Sequence, residues 1–89
     1  MANYIAVIHK EVKSDFGVSF PDFPGCITAG KDIDEAKDMA QEALTLHIRG
    51  MLEDGDQLPV PSRLEDIMSD PDYADAIAYL VVSVPDAKP

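Results

Sequence analysis

Residues 32–54 constrain the fold more than any other stretch. Asp32 stands where a helix N-cap belongs, and Glu35 follows three residues later, the pattern of a capping box. Asp34, Glu35 and Asp38 crowd the first turns, where the helix dipole favours negative charge. Gly55 fits the position just past the helix end. At about 100° per residue, Ala36, Met39, Ala40, Ala43, Leu44, His47 and Met51 share one side. Glu35, Asp38, Gln41, Glu42, Thr45, Arg49 and Glu53 lie mostly elsewhere. A helix with one apolar stripe needs one layer to pack against, and the alanines on the stripe permit close approach. Gly50 falls near the stripe at a cost of up to ~1 kcal/mol in propensity relative to Ala, and reads as a tight contact with the sheet or another subunit. Ile48 and Leu52 fall off the stripe and are the candidates for self-association.

The layer under the helix comes from strand-like runs on either side of it. Asn3 to Lys10 is rich in β-formers and apolar on both faces, which suits a central strand. After a polar turn at Lys13, Ser14 and Asp15, the residues Phe16, Val18 and Phe20 alternate with Gly17 and Ser19. The short turn makes the two runs an antiparallel hairpin. Pro21 to Gly25 cannot continue a ladder and is a stiff loop. Cys26 to Ala29 is a short third strand. Beyond the helix, Ser62 opens a second capping-box pattern with Glu65, predicting a short helix through Met68. Asp70-Pro71 starts another turn, and Ala76 to Val84 is the last strand.

The order is β-β-β-α-(short α)-β, an α+β fold. The helix brings the chain back so that strand four lies beside and parallel to strand one through a right-handed crossover. The expected sheet is mixed, of order 3-2-1-4, with the long helix on one face. Residues 1–84 form one domain, and residues 85–89 are a tail or the start of a linker. The other sheet face is left apolar and uncovered, so a homodimer or higher oligomer is expected.

The 89 residues carry 17 acidic and 7 basic side chains, a formal charge of −10. That balance argues against direct contact with DNA, RNA or an anionic membrane. No run of ~20 apolar residues and no signal-peptide pattern is present. One cysteine allows neither an internal disulfide nor a cysteine-based zinc site, and the expected compartment is the reducing cytoplasm.

Catalytic chemistry finds little support. The strands are nearly free of acids, so carboxylates have no obvious way to converge on a pair of metal ions. Asp54, Asp56 and Glu65 have the spacing of a calcium loop, but Leu58 and Pro59 fall where it needs an oxygen ligand and a glycine. His9 reads as a surface residue. His47 reads as a half-buried side chain bonded to a backbone carbonyl, and Cys26 as a small core residue. No metal, cofactor or phosphate loop is expected. The proline loop is the remaining feature: Phe23 either caps the core or, with Asp22 and Pro24, forms a preorganised contact surface.

Several strings in the chain are familiar together. They are Phe20-Pro21-Asp22-Phe23-Pro24-Gly25-Cys26 with Thr28-Ala29-Gly30, then Asp34-Glu35-Ala36, and Ala40-Gln41-Glu42-Ala43-Leu44. Glu53-Asp54-Gly55 follows, leading to Leu58-Pro59-Val60-Pro61-Ser62. Over residues 3–84 the chain resembles the N-terminal domain of HicB-type antitoxins. The resemblance implies a partial RNase H-like fold and a non-enzymatic role: binding and masking a small basic mRNA-cleaving toxin of the HicA type. Asp22, Phe23 and Pro24 are then the toxin-contact candidates. Members of that family commonly continue into a C-terminal DNA-binding module, to which DNA contact would belong. The alternative is a metal-dependent RNase H-like nuclease using Asp22.

Overall fold

The computed structural model describes residues 2–10 and 15–85. Lys13 and Ser14 of the expected turn, and the tail from Asp86 to Pro89, lie outside the described residues.

Strand β1 (Ala2–Lys10) alternates as its sequence requires. Ala2, Tyr4, Ala6 and Ile8 enter the main core, while Ile5, Val7 and His9 point to the opposite face. Strand β2 (Phe16–Ser19) pairs antiparallel with it, Ile8 opposite Val18. Strand β3 (Ile27–Gly30) pairs antiparallel with β2, Val18 opposite Thr28. Helix α1 (Ile33–Glu53) then runs back across the sheet. Its N-terminus is capped as the sequence predicts, the Glu35 amide donating to the Asp32 carboxylate at 2.7 Å. The Glu35 carboxylate accepts from the Lys31 amide at 3.0 Å, one residue before the cap. At the other end Gly55 takes φ +78°, the left-handed conformation that suits glycine at a helix stop.

The buried row on α1 is Ala36, Ala40, Leu44 and Ile48, with Ala43 and Met51 packed alongside. Ile48 therefore belongs to the core at 2% exposure, a correction to its expected place off the stripe. The four residues follow one i, i+4 row, and the sheet lies under that row along the whole helix. Leu52, one step further, is 48% exposed. Close approach of helix to sheet occurs at Gly30, where a Cβ would lie 2.3 Å from the Ala36 amide nitrogen. Gly50 has open space where its side chain would be, so it makes no tight contact with the sheet.

After α1 comes a long connection, residues 54–77, called here the return segment. It contains α2 (Leu64–Met68) and a single 3-10 turn (Pro71–Tyr73) whose Asp70 carboxylate accepts from the Asp72 amide at 2.9 Å. Strand β4 (Ala78–Val84) completes the sheet in the order β3-β2-β1-β4. The order is the expected one, but β4 runs antiparallel to β1, Ile8 opposite Ala78 and Ala2 opposite Val84. The sheet is fully antiparallel, not mixed. The reason is a count of traverses. Helix α1 carries the chain to the far end of the sheet, and the return segment carries it back before β4 begins.

The return segment also covers part of the face that was expected to lie open. Val7, on the side away from α1, is fully buried, and Ile67 of α2 is buried outside the α1-side core. Toward the margins of that face Ile27 and Val81 remain 71% and 70% exposed.

Candidate functional site

The return segment has almost no secondary structure of its own, so its position depends on pins from elsewhere. Three are visible. Tyr4 donates its phenol proton to the Pro59 carbonyl at 2.7 Å. Asp22 accepts from the Ser62 amide at 2.8 Å and from the Ser62 hydroxyl. His9 Nδ1 lies 3.1 Å from an Asp75 carboxylate oxygen, and its Nε2 lies 3.2 Å from the Ser19 hydroxyl. Leu58, buried in the main core, adds an apolar anchor.

These pins reassign several residues. The spacing to Glu65 predicts Ser62 as the cap of α2, yet its side chain turns to Asp22 and the helix starts from Arg63 without a side-chain cap. Asp22 is 40 positions away in sequence, so no local pattern could show the pairing. Phe23 takes the core-capping role. It is 2% exposed and meets the ring of Tyr4 edge-on at 4.6 Å and that of His47 at 5.7 Å. An inward Phe23 offers no surface to a partner. Of the three contact candidates only Pro24 faces outward, because Asp22 is engaged with Ser62. His47 is half-buried as expected, with the Phe23 ring as its neighbour. His9, expected at the surface, is instead the joint of three segments, with the Tyr73 ring 6.4 Å away.

Ser19, His9 and Asp75 stand in the order of a nucleophile, base and orienting acid. The geometry stops short of acyl-transfer chemistry. Such a site needs N–H donors converging on the developing oxyanion. Ser19 sits on an inner strand, where N–H groups point along the sheet into the ladders with β1 and β3 rather than off its face. The arrangement serves as a latch holding residue 75 to the sheet. Among the described residues, no three His, Cys, Asp or Glu side chains gather as a metal-binding set.

Burial sets the proton chemistry of the interior. It pushes the Cys26 thiol above its ordinary value, keeping a buried sulfur in its unreactive protonated form. Burial, and then the charge of Asp22, raises the Tyr4 phenol. Tyr73 is raised by burial and by the carboxylates of Asp70, Asp72 and Asp22.

The outer surface of the return segment differs in kind from its inner side. Residues 53–77 hold eight acidic side chains against one basic residue, Arg63. Arg63 is already engaged with Glu65 at 3.0 Å and Asp66 at 4.0 Å. Among these acids stand exposed apolar side chains: Val60 at 79%, Met68 at 57% and Leu64 at 41%. An acidic rim around apolar side chains is a protein-binding chemistry. No motif in the sequence singled this surface out, although the uneven charge, net −1 over residues 1–30 and net −9 over residues 31–89, is a visible signal. No helix among the described residues is long and apolar enough to cross a membrane.

Comparison with known proteins places this architecture. The family described as HicB_like antitoxin of bacterial toxin-antitoxin system matches residues 4–88. A protein of Haemophilus phage HP1 (strain HP1c1), described as an uncharacterized 14.9 kDa protein in the rep-hol intergenic region, is 42% identical over 72 residues, or 81% of this chain. The chain spans 54% of that relative's length. The crystal structure of the Burkholderia pseudomallei antitoxin HicB is similar with a TM-score of 0.83 and 33% identity, covering 94% of this chain and 64% of that one. A chain of the HicA3 and HicB3 toxin-antitoxin complex is similar with a TM-score of 0.75 and 30% identity, covering 91% of this chain and 95% of that one. The strand order, the single long helix and the family match agree, and this chain belongs to the HicB-like antitoxins of bacterial toxin–antitoxin systems.

Proposed function

We propose that this chain neutralises a small, basic, mRNA-cleaving toxin of the HicA type by binding it and masking its active site. The observation that carries this reading is the likeness, over nearly the whole fold, to a chain from a HicA3 and HicB3 complex. The charge of −10 supports it, since opposite charge speeds encounter with a basic partner and disfavours wrong ones. The role is non-enzymatic, as the family suggests. Asp22, the residue a nuclease reading would need, is committed to Ser62. The decisive experiment mixes this chain with the purified basic protein encoded beside its gene. A stable complex forms at low ionic strength, weakens as salt rises, and suppresses RNA cleavage by that protein. Absence of a complex at low salt overturns the reading.

The same reading makes the protein cytoplasmic and a homodimer or higher oligomer in the absence of toxin. Leu52 is the remaining self-association candidate on α1, beside a groove of about 150 Å³ that it lines with Thr45, Arg49 and Val84. Light scattering at ~100 µM, a concentration that populates micromolar interfaces, reports the oligomer, and a monomer there refutes it. The acidic balance of these residues assigns them no contact with DNA.

A further inference from the structure

The exposed side of the return segment combines apolar side chains with a concentration of negative charge. Leu64 and Met68 are one turn apart on α2, so their side chains form a single apolar stripe, 41% and 57% exposed. Val60, at 79% the most exposed large apolar residue among the described residues, precedes them on the same segment. Glu65, Asp66 and Asp72 are exposed and Asp70 half-buried on the same stretch of chain, and seven of the ten net negative charges fall within residues 53–77. The segment is also held in place before any partner arrives, by Tyr4 at Pro59, Asp22 at Ser62 and His9 at Asp75. A pinned surface loses little ordering entropy on binding.

Resting on the antitoxin reading, we propose that the α2 side of the return segment is the docking surface for the basic partner. Val60, Leu64 and Met68 act as apolar anchors, and the surrounding carboxylates supply the steering field. Charge selects this occupant over a second copy of the chain. Two return segments brought together, each with six net negative charges over residues 54–77, would repel, whereas a basic face is attracted. The outer side of α1 has no such preference, because Lys37 and Arg49 are interspersed with Asp34, Asp38 and Glu42. The surface also differs from the proline loop, whose Asp22 and Phe23 face inward.

The test compares two charge reversals of equal size, using the basic protein encoded beside the gene as the probe. Asp66→Lys with Asp72→Lys weakens binding by at least about tenfold at low salt. Asp38→Lys with Glu42→Lys on α1 changes it by less than about threefold, as a remote surface charge should. Leu64→Ser with Met68→Ser weakens the complex at high salt too, where steering is screened. All six positions are exposed or half-buried, and circular dichroism confirms that each variant keeps the wild-type fold. Amide chemical-shift changes on adding the partner cluster at residues 58–72. A wild-type complex that is weakened equally by both reversals, or whose shift changes map to α1 or β3, overturns this assignment and leaves the antitoxin reading standing. Failure of the wild-type chain to bind overturns both.

Discussion

Helix α1 and the return segment are similar in length and hold their shape by opposite means. The helix satisfies nearly all of its backbone groups internally, closes its N-terminus with Asp32, and ends at a left-handed Gly55. Its buried row is a single i, i+4 line, Ala36 to Ile48. The return segment contains a helix of five residues, far below the ~12–15 needed for marginal stability in isolation. It is shaped by side chains that arrive from β1 and from the proline loop. One region is therefore specified by its own sequence, and the other by residues far from it along the chain. The second kind of specification leaves a segment free to carry many like charges, because its conformation does not depend on local helix propensity.

The largest expected effect strikes the self-specified region. Leu44 is fully buried at the centre of the helix row, and Leu44→Ala costs about 2–5 kcal/mol. Urea denaturation should show one transition at a lower midpoint, with α1 and the sheet melting together. A helix that melts while the sheet persists would mean that the two are less coupled than the shared core implies. Next comes Asp22→Ala, which removes both bonds to Ser62 and should cost about 2 kcal/mol, since bonds to a charged acceptor are the stronger kind. The loss should be local. Hydrogen exchange at residues 58–69 should accelerate by more than about tenfold while the amides of α1 keep their protection. Equal acceleration in both regions would merge them into one cooperative unit and erase the contrast.

That contrast also explains which parts of the fold could be read from the chain. Helix α1 was legible to its ends because its caps and dipole charges are local patterns, whereas its stripe was misjudged at Ile48, which the sheet beneath it buries. The hairpin of β1 and β2 was legible from alternation, and the sheet order followed. The direction of β4 was not, because it depends on whether residues 54–77 span the sheet, and no periodicity reports that. Ser62 shows the failure at single-residue scale. Its spacing to Glu65 is a valid capping signal, but a carboxylate 40 residues away competes for the hydroxyl and wins. Phe23 was ambiguous because its neighbours Tyr4 and His47 come from distant elements. The acidic surface was visible as composition, while its exposed apolar anchors were not, since burial of Ile67 and exposure of Met68 depend on how α2 is set down.

A smaller effect, of the opposite sign, sharpens the picture of α1. With open space at its missing side chain and an ordinary helical backbone, Gly50→Ala should stabilise the protein by up to about 1 kcal/mol. Thermal melting would show it as a raised midpoint. A lowered midpoint would reveal a packing constraint on that side of the helix.

The smallest effect falls on the joint between the two regions. Tyr4 is buried among core residues, and its hydroxyl donates to Pro59. Its phenol is raised above the ordinary 10.0 by burial and by the charge of Asp22, so the fold favours the neutral form. The associated stability is fully present below about pH 10 and is lost as the pH climbs through the raised value. A phenolate has no proton for the Pro59 carbonyl and places a charge in an apolar site. Tyr4→Phe should therefore be less stable than wild type at pH 7, by about 0.5–1 kcal/mol for one lost hydrogen bond. Above pH 10 the gap should narrow and then invert, because phenylalanine cannot ionise. Cys26 and Tyr73, also raised by burial, weaken both proteins alike at high pH and cancel in the comparison. Urea midpoints measured at a series of pH values check this. A gap that stays constant through pH 11 would mean that Tyr4 contributes packing alone, and the return segment would then hang on Asp22, His9 and its buried apolar residues.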